Sequence, residues 1–420
     1  METLRRSLTW VQGTALTIGA VLGCGILILP SVTANTAGPA SLLAWVLMSL
    51  LSFPLVGTLA RLVKIAPSAG GITAYVQLAF HSKAAAVLGW IMMGSVPIGV
   101  PIIALAGAHY VGSVTGAGNG QITLIAAGML GLSIILNIKG LRLSAKISTL
   151  VIVMIVLLLI LAAAVSLPHV KATAFQPFLP HGWFAAGSAS VVIFFSFVGW
   201  EMITPLAEEF KRPERDIPVS LFLAAVCVAL LYIMISFVTI GTHAYGGNGN
   251  GNGNIASLNM LMSKGIGKSG VYVTAWLALF ITFSTIHANI AGFSRMVYAL
   301  AREGHFPRYF EKVSSKSHTP VRVLIGLGIM FGLVLAVNGA LQIDPAFLLK
   351  GPSAAFIASY LFTLAAALKI LHWRDIGWWL ALTAFVLCLG IYCFCGWAFF
   401  YPVVLGIAGM MYKKYGRENK

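Results

Sequence analysis

Charge is what this sequence has least of. Asp, Glu, Lys and Arg together make up 9% of 420 residues, and only 11 of those residues are acidic. Globular domains carry about 25% charged residues, so this chain cannot cover a water-facing surface, and an ordinary soluble protein is excluded. Disorder is excluded as well, because hydrophobic residues make up 59% and disordered chains are poor in them. Cysteine is also sparse. Cys24, Cys227, Cys388, Cys393 and Cys395 all lie in or at the ends of apolar runs, where they read as small buried apolar residues. Cys393 and Cys395 stand too close for an ordinary disulfide, and no spacing of His, Cys, Asp and Glu indicates a metal site. No polar segment is long enough for a separate soluble domain, which argues against a receptor. Ser, His and acids do not converge anywhere, which argues against an enzyme. No cofactor is implied.

Long apolar runs are what the sequence has instead. They fall at about 10–34, 40–62, 85–112, 121–138, 147–168, 184–207, 218–242, 270–296, 321–339, 346–368, 376–391 and 395–412. A helix crosses a bilayer with about 20 such residues. The runs are continuous, as in 150–164, whereas the strands of a membrane barrel alternate. The predicted fold class is therefore an all-α integral membrane protein with about twelve transmembrane helices in one domain over 1–420. Arg5 and Arg6 before the first run suggest a signal peptide. The run continues past Pro30 without a convincing cleavage site, however, which marks an uncleaved first helix.

The net charge of +16 raises the question of a nucleic-acid partner. With the alternation of about twelve crossings, all bases except Lys171, Lys264, Lys268 and Lys350 fall on the side of the N-terminus. Basic loops mark the cytoplasmic face. Both termini are therefore expected in the cytoplasm, the expected partner is a lipid bilayer, and no nucleic-acid role remains. The longest outer loop, about 243–269, carries a glycine–asparagine tract at 246–254 that reads as a flexible linker.

Two runs are interrupted. The first contains Gly19, Gly23, Cys24 and Gly25, and the sixth contains Gly199, Glu201 and Pro205. Irregular backbone at membrane depth survives only inside protein or beside a wet cavity. The breaks are an odd number of crossings apart, so one helix is inverted relative to the other, the pattern of inverted-repeat secondary transporters. At such breaks a helix N-terminus attracts a carboxylate, and freed carbonyls attract an ammonium, which suits a zwitterionic amino acid. Glu201 is the only acid inside an apolar run, which points to proton coupling or gating, the alternative being a neutral, hydrogen-bonded structural Glu or one paired with a base. Lys350, beside Gly351 and Pro352, either snorkels to the outer surface or faces the cavity and pairs with substrate or Glu201. Thr282, Ser284, Thr285, His287 and Asn289 lie in the eighth run. There Ser284 and Thr285 either form a sodium site with carbonyls of the first run or make interhelical hydrogen bonds. Phe194, Phe195, Phe197 and Trp200 are candidates for gating a pocket.

These residues resemble the amino acid–polyamine–organocation transporters over nearly the whole chain. The matching segments are Gly23-Cys24-Gly25-Ile26; Pro67 to Val76 followed by Ala79-Phe80; Phe197 to Glu201 followed by 207–218; and 294–304 with Pro307 and Thr319-Pro320. Val96 to Pro101 and the Phe-rich sixth run are most similar to bacterial exporters of methionine and branched-chain amino acids. The resemblance implies a five-plus-five inverted repeat of the LeuT-like kind, with repeats at about 8–168 and 183–368 and extra helices at about 375–412. It implies a substrate site at Ala20, Gly23, Cys24, Gly25, Phe195, Ser196, Phe197, Gly199 and Trp200, with Phe195 as an aromatic gate and Glu201 as a proton-sensing acid. Cys24 stands where the family usually has serine, which favours an apolar substrate. The lysine that some proton-coupled members carry in the fifth span is absent here. The implied function is export of methionine, leucine, isoleucine or valine by proton antiport, with uptake or exchange as the alternative. The implied setting is the bacterial cell membrane, as a monomer or homodimer.

Overall fold

The computed structural model describes residues 4 and 6–415, except Cys24, 246–257, 259, 260, 264–266, 268, 342–344 and Phe394. The glycine–asparagine tract at 246–254 thus lies outside the described residues, as does Cys24. Helix dominates the rest, because a chain in lipid must satisfy its backbone within each segment. The elements are α1 (Trp10–Leu22), α2 (Gly25–Ala37), α3 (Ser41–Ile65), α4 (Ile72–Ala79), α5 (Ser82–Thr115), α6 (Asn119–Lys139) and α7 (Leu141–Ser166). They continue with α8 (Gly182–Phe194), a 3-10 segment Trp200–Glu209, α9 (Pro213–Gly241), α10 (Ser269–Arg302), α11 (Val321–Leu341), α12 (Pro345–Ile370), α13 (Ile376–Tyr392) and α14 (Phe400–Tyr415).

Among the described residues, eight stretches are long and apolar enough to cross a membrane, the first of them Trp10–Ile65 with 56 residues. Three shorter apolar helices, Gly182–Phe194, Ile376–Tyr392 and Gly396–Met411, accompany them. Length and composition therefore single out fewer crossings than the apolar runs do, because the breaks join some runs and shorten others.

The packing is inverted relative to a protein in water. On α7, Leu150, Val153, Leu157, Ile160 and Leu161 point outward, while Ile152, Ile155, Leu159 and Ala162 are buried. On α11, Ile325, Ile329, Leu333 and Val337 form a second outward stripe. Apolar belts of this kind are rare on soluble monomers and suit contact with lipid. The centre is α10, which packs against α1, α5, α6, α7 and the Trp200–Glu209 segment. From Ser284 to Ala301 every residue is buried, so protein surrounds this part of the helix.

Caps at the ends of the helices are legible in the sequence. Thr9 and Gln12 form a capping box at the start of α1, with Thr9 N–H donating to Gln12 Oε1 at 2.9 Å. Asp375 caps α13 by accepting from Gly377 N–H at 2.7 Å, and it also accepts from Arg61 Nη1 at 3.2 Å.

Candidate functional site

The first break begins where α1 ends. Gly23 has φ 45°, a left-handed conformation that side-chain-bearing residues rarely adopt. A Cβ there would have room, since its nearest neighbour is Thr285 Cγ2 at 3.7 Å, so the constraint is backbone conformation rather than space. At Gly25, where α2 begins, the constraint is space: a Cβ would lie 2.9 Å from Ser196 Cβ. The last carbonyls of a helix lack partners within it. Here the buried Tyr232 hydroxyl, on α9, lies 2.9 Å from Leu22 O, 3.2 Å from Val21 O and 3.0 Å from Ser196 O. Its single proton serves one carbonyl at a time. The Tyr232 ring stacks on Trp45 at 4.9 Å and meets Phe197 at 5.1 Å.

The second break follows α8. Phe195–Phe197 makes a 3-10 turn, and Gly199 has φ 124°. A Cβ on Gly199 would lie 2.7 Å from Ala20 O, so the two breaks cross with backbone against backbone. The Gly199 N–H donates to Glu201 Oε2 at 3.1 Å and to Tyr360 Oη at 3.2 Å. Tyr360, on α12, donates its own proton to the same Glu201 oxygen. Glu201 is buried, and its other oxygen, Oε1, has no hydrogen-bond partner among the described residues. The 3-10 segment that follows is 10 residues long and contains Pro205. Runs beyond three or four residues are uncommon, and such stretches often mark hinges.

A cavity of about 40 Å³ opens at this crossing. One wall is polar or bare backbone: Ala20, Val21, Gly23, Gly25, Ser196, Thr285 and Asn289. The opposite wall is apolar, from Val96, Val100 and Ile103 on α5 and from Pro352 and Phe356 on α12. The polar side joins the carbonyl end of α1 to the N-terminus of α2, so one side of one small space favours a cation and the other an anion.

The other residues singled out in the sequence divide. Thr285 Oγ1 lies 2.7 Å from Gly19 O and 3.0 Å from Ile281 O, and its one proton serves either carbonyl. Ser284 Oγ is buried without a partner among the described residues and packs against Gly19. His287 turns toward α6, with Ser133 Oγ at 3.1 Å and Asn137 Nδ2 at 3.2 Å from its Nδ1. Phe197 and Trp200 are fully buried; Phe195 is described through its backbone alone. Lys350 is exposed, and the hydrogen bonds to the Glu201 carboxylate come from Gly199 and Tyr360 rather than from this lysine.

Two features escape sequence reasoning. Tyr232 and Tyr360 are tyrosines in the middle of apolar runs, each with a hydroxyl that must find a partner; that was their only signal. The second is an ion pair. Glu209 Oε1 and Arg295 Nε lie 2.7 Å apart with 3% and 0% of their side chains exposed. Arg295 reads in the sequence as a base of the cytoplasmic face, at the end of the apolar run at about 270–296. In the structure α10 continues to Arg302, and Arg295 lies within it, buried against Glu209. The same corner holds the N-terminal segment, with Ser7 and Leu8 N–H groups donating to Glu209 O at 2.8 and 3.0 Å.

The family model described as "Amino acid permease" matches residues 8–413. The chain is 72% identical, over 99% of its length and 97% of the relative's, to the uncharacterized amino acid permease YecA of Bacillus subtilis (strain 168). It is 29% identical, over 98% and 96% of the two lengths, to the L-methionine/branched-chain amino acid exporter YjeH of Escherichia coli (strain K12). It is 24% identical, over 79% and 75%, to the branched-chain amino acid permease BcaP of Bacillus subtilis (strain 168).

Proposed function

The chain belongs to the amino acid permease family, within the amino acid–polyamine–organocation superfamily, and on that premise we propose that it exports neutral apolar L-amino acids by proton antiport. The substrates are methionine, leucine, isoleucine and valine. The crossing of the two breaks carries this reading: Gly199 against Ala20 O beside a cavity with one polar and one apolar wall. The end of α1 takes the ammonium, the start of α2 takes the carboxylate, and the wall of α5 and α12 takes the side chain. The exporter relative from Escherichia coli supports the substrate class and the direction.

The 56-residue stretch is long enough for two crossings, and with the three shorter helices it brings the eight stretches to about twelve crossings. In this arrangement 8–168 and 183–368 are the inverted repeats, residues 375–412 supply two extra helices, and both termini face the cytoplasm of a bacterial cell. A cavity of about 40 Å³ holds roughly three waters at about 10–15 Å³ each. A leucine-sized ligand therefore requires the walls to part, as alternating access demands. Glu201 is the proton-coupling group, supported by its free Oε1 and by the Tyr360 bond that ties it to the second break.

The direction is tested in cells fed methionine- or leucine-containing dipeptides. Deletion of the gene should raise the intracellular free amino acid; an unchanged level would favour uptake. Counterflow of methionine in proteoliposomes tests the class, since a carrier exchanges substrate across the membrane and an enzyme or receptor does not.

A further inference from the structure

Helix α5 contains a glycine that packing does not explain. At its other glycines with close neighbours, an added Cβ would collide with an adjoining helix. The distance would be 2.6 Å to Leu300 Cδ1 at Gly89, 2.6 Å to Leu405 Cδ2 at Gly94, 2.8 Å to Thr282 Cβ at Gly107 and 2.9 Å to Ile122 Cδ1 at Gly112. Each of these allows two helices to approach closely. Gly99 differs. A Cβ there would meet only Pro352 Cβ, at 3.9 Å, an ordinary contact. Glycine weakens a helix relative to alanine, and no close approach offsets that weakness at this position.

Gly99 instead lines the cavity. It shares one face of α5 with Val96, Val100 and Ile103, across from Pro352 and Phe356 on α12. The missing methyl leaves a notch between α5 and Pro352 at the apolar wall, away from the backbone groups of the breaks. No ionisable side chain lines the cavity among the described residues.

We propose that Gly99 sets the length of side chain the site accepts, the notch opposite Pro352 receiving the end of an aliphatic or thioether chain. A methyl at position 99 would bridge to Pro352 and leave room for small side chains only. This rests on the reading of the cavity as an amino acid site.

The test is counterflow in proteoliposomes with radiolabelled methionine and alanine as paired probes. In Gly99→Ala the ratio of methionine to alanine exchange should fall by roughly 10- to 200-fold, the scale on which an enclosed pocket discriminates one methylene. The melting temperature should hold at or rise above the wild-type value, since alanine favours the helix and meets no close neighbour. Pro352→Ala widens the notch from the other side and should shift selectivity the opposite way, raising phenylalanine exchange relative to methionine. Unchanged ratios in both variants, or equal loss of methionine and alanine in well-folded Gly99→Ala, would overturn the assignment while leaving the transporter reading intact. If the wild type exchanges no amino acid, the transporter reading itself fails and takes the inference with it.

Discussion

Glu201 joins the second break to α12 through one oxygen. Oε2 accepts from Gly199 N–H and from Tyr360, so the carboxyl reports on both the second break and α12. Tyr360→Phe removes a donor to Glu201 and an acceptor for Gly199. It should lower unfolding stability by about 1–3 kcal/mol, the cost of a buried polar group left unpaired, and displace the pH dependence of transport; an unmoved pH profile would separate Tyr360 from coupling. Gly23 and Gly199 should fail differently. Gly23→Ala meets no neighbour closer than 3.7 Å, so its cost is that of a backbone conformation, φ 45° and ψ −165°, that is nearly restricted to glycine, about 1–3 kcal/mol. Gly199→Ala adds a collision with Ala20 O at 2.7 Å and should lose both folding yield and substrate binding, measured by expression and thermal shift. Glu201 is legible in the sequence because a lone acid in an apolar run is costly to bury and stands out among 11 acids. Tyr360, 159 positions away, is not, because a tyrosine near a span excites no suspicion until its partner is known.

At the scale of elements, α10 organises the molecule. It carries Thr285 toward the first break, His287 toward α6 and Arg295 toward Glu209. Removing one partner of a buried ion pair strands the other charge, at a cost of about 3–5 kcal/mol, whereas replacing both with apolar residues is often neutral. Glu209→Gln should therefore lower the melting temperature sharply, and Glu209→Leu combined with Arg295→Met should recover most of it. If single and double variants melt alike, the pair is not what holds this corner. The interruptions were readable from glycine, proline and a carboxylate placed where a helix needs none of them. Their crossing was not, because the contact of Gly199 with Ala20 O depends on how α1 and α8 approach in space. The partner of Arg295 is illegible for a related reason: Glu209 lies 86 positions away, and only the fold brings the two together.

For the whole molecule, composition and loop charge are the features that sequence conveys best. Few acids, long apolar runs and bases gathered on one side already imply a membrane protein, and the outward apolar stripes of α7 and α11 give that composition a surface. The count of crossings is harder to read, since a broken helix and a short one each defeat a length criterion. Reporter fusions after residues 140, 316 and 415 should all register on the cytoplasmic side, and one at 250 on the outside; any exchange between the two groups would undo the topology. The most direct measurement is methionine flux driven by an imposed pH gradient in proteoliposomes, comparing wild type with Glu201→Gln. Wild type should accumulate methionine against its gradient, in the compartment from which protons leave. Glu201→Gln should exchange methionine yet ignore the proton gradient. Gradient-driven accumulation that survives in Glu201→Gln, or a wild type indifferent to pH, would contradict proton antiport through Glu201.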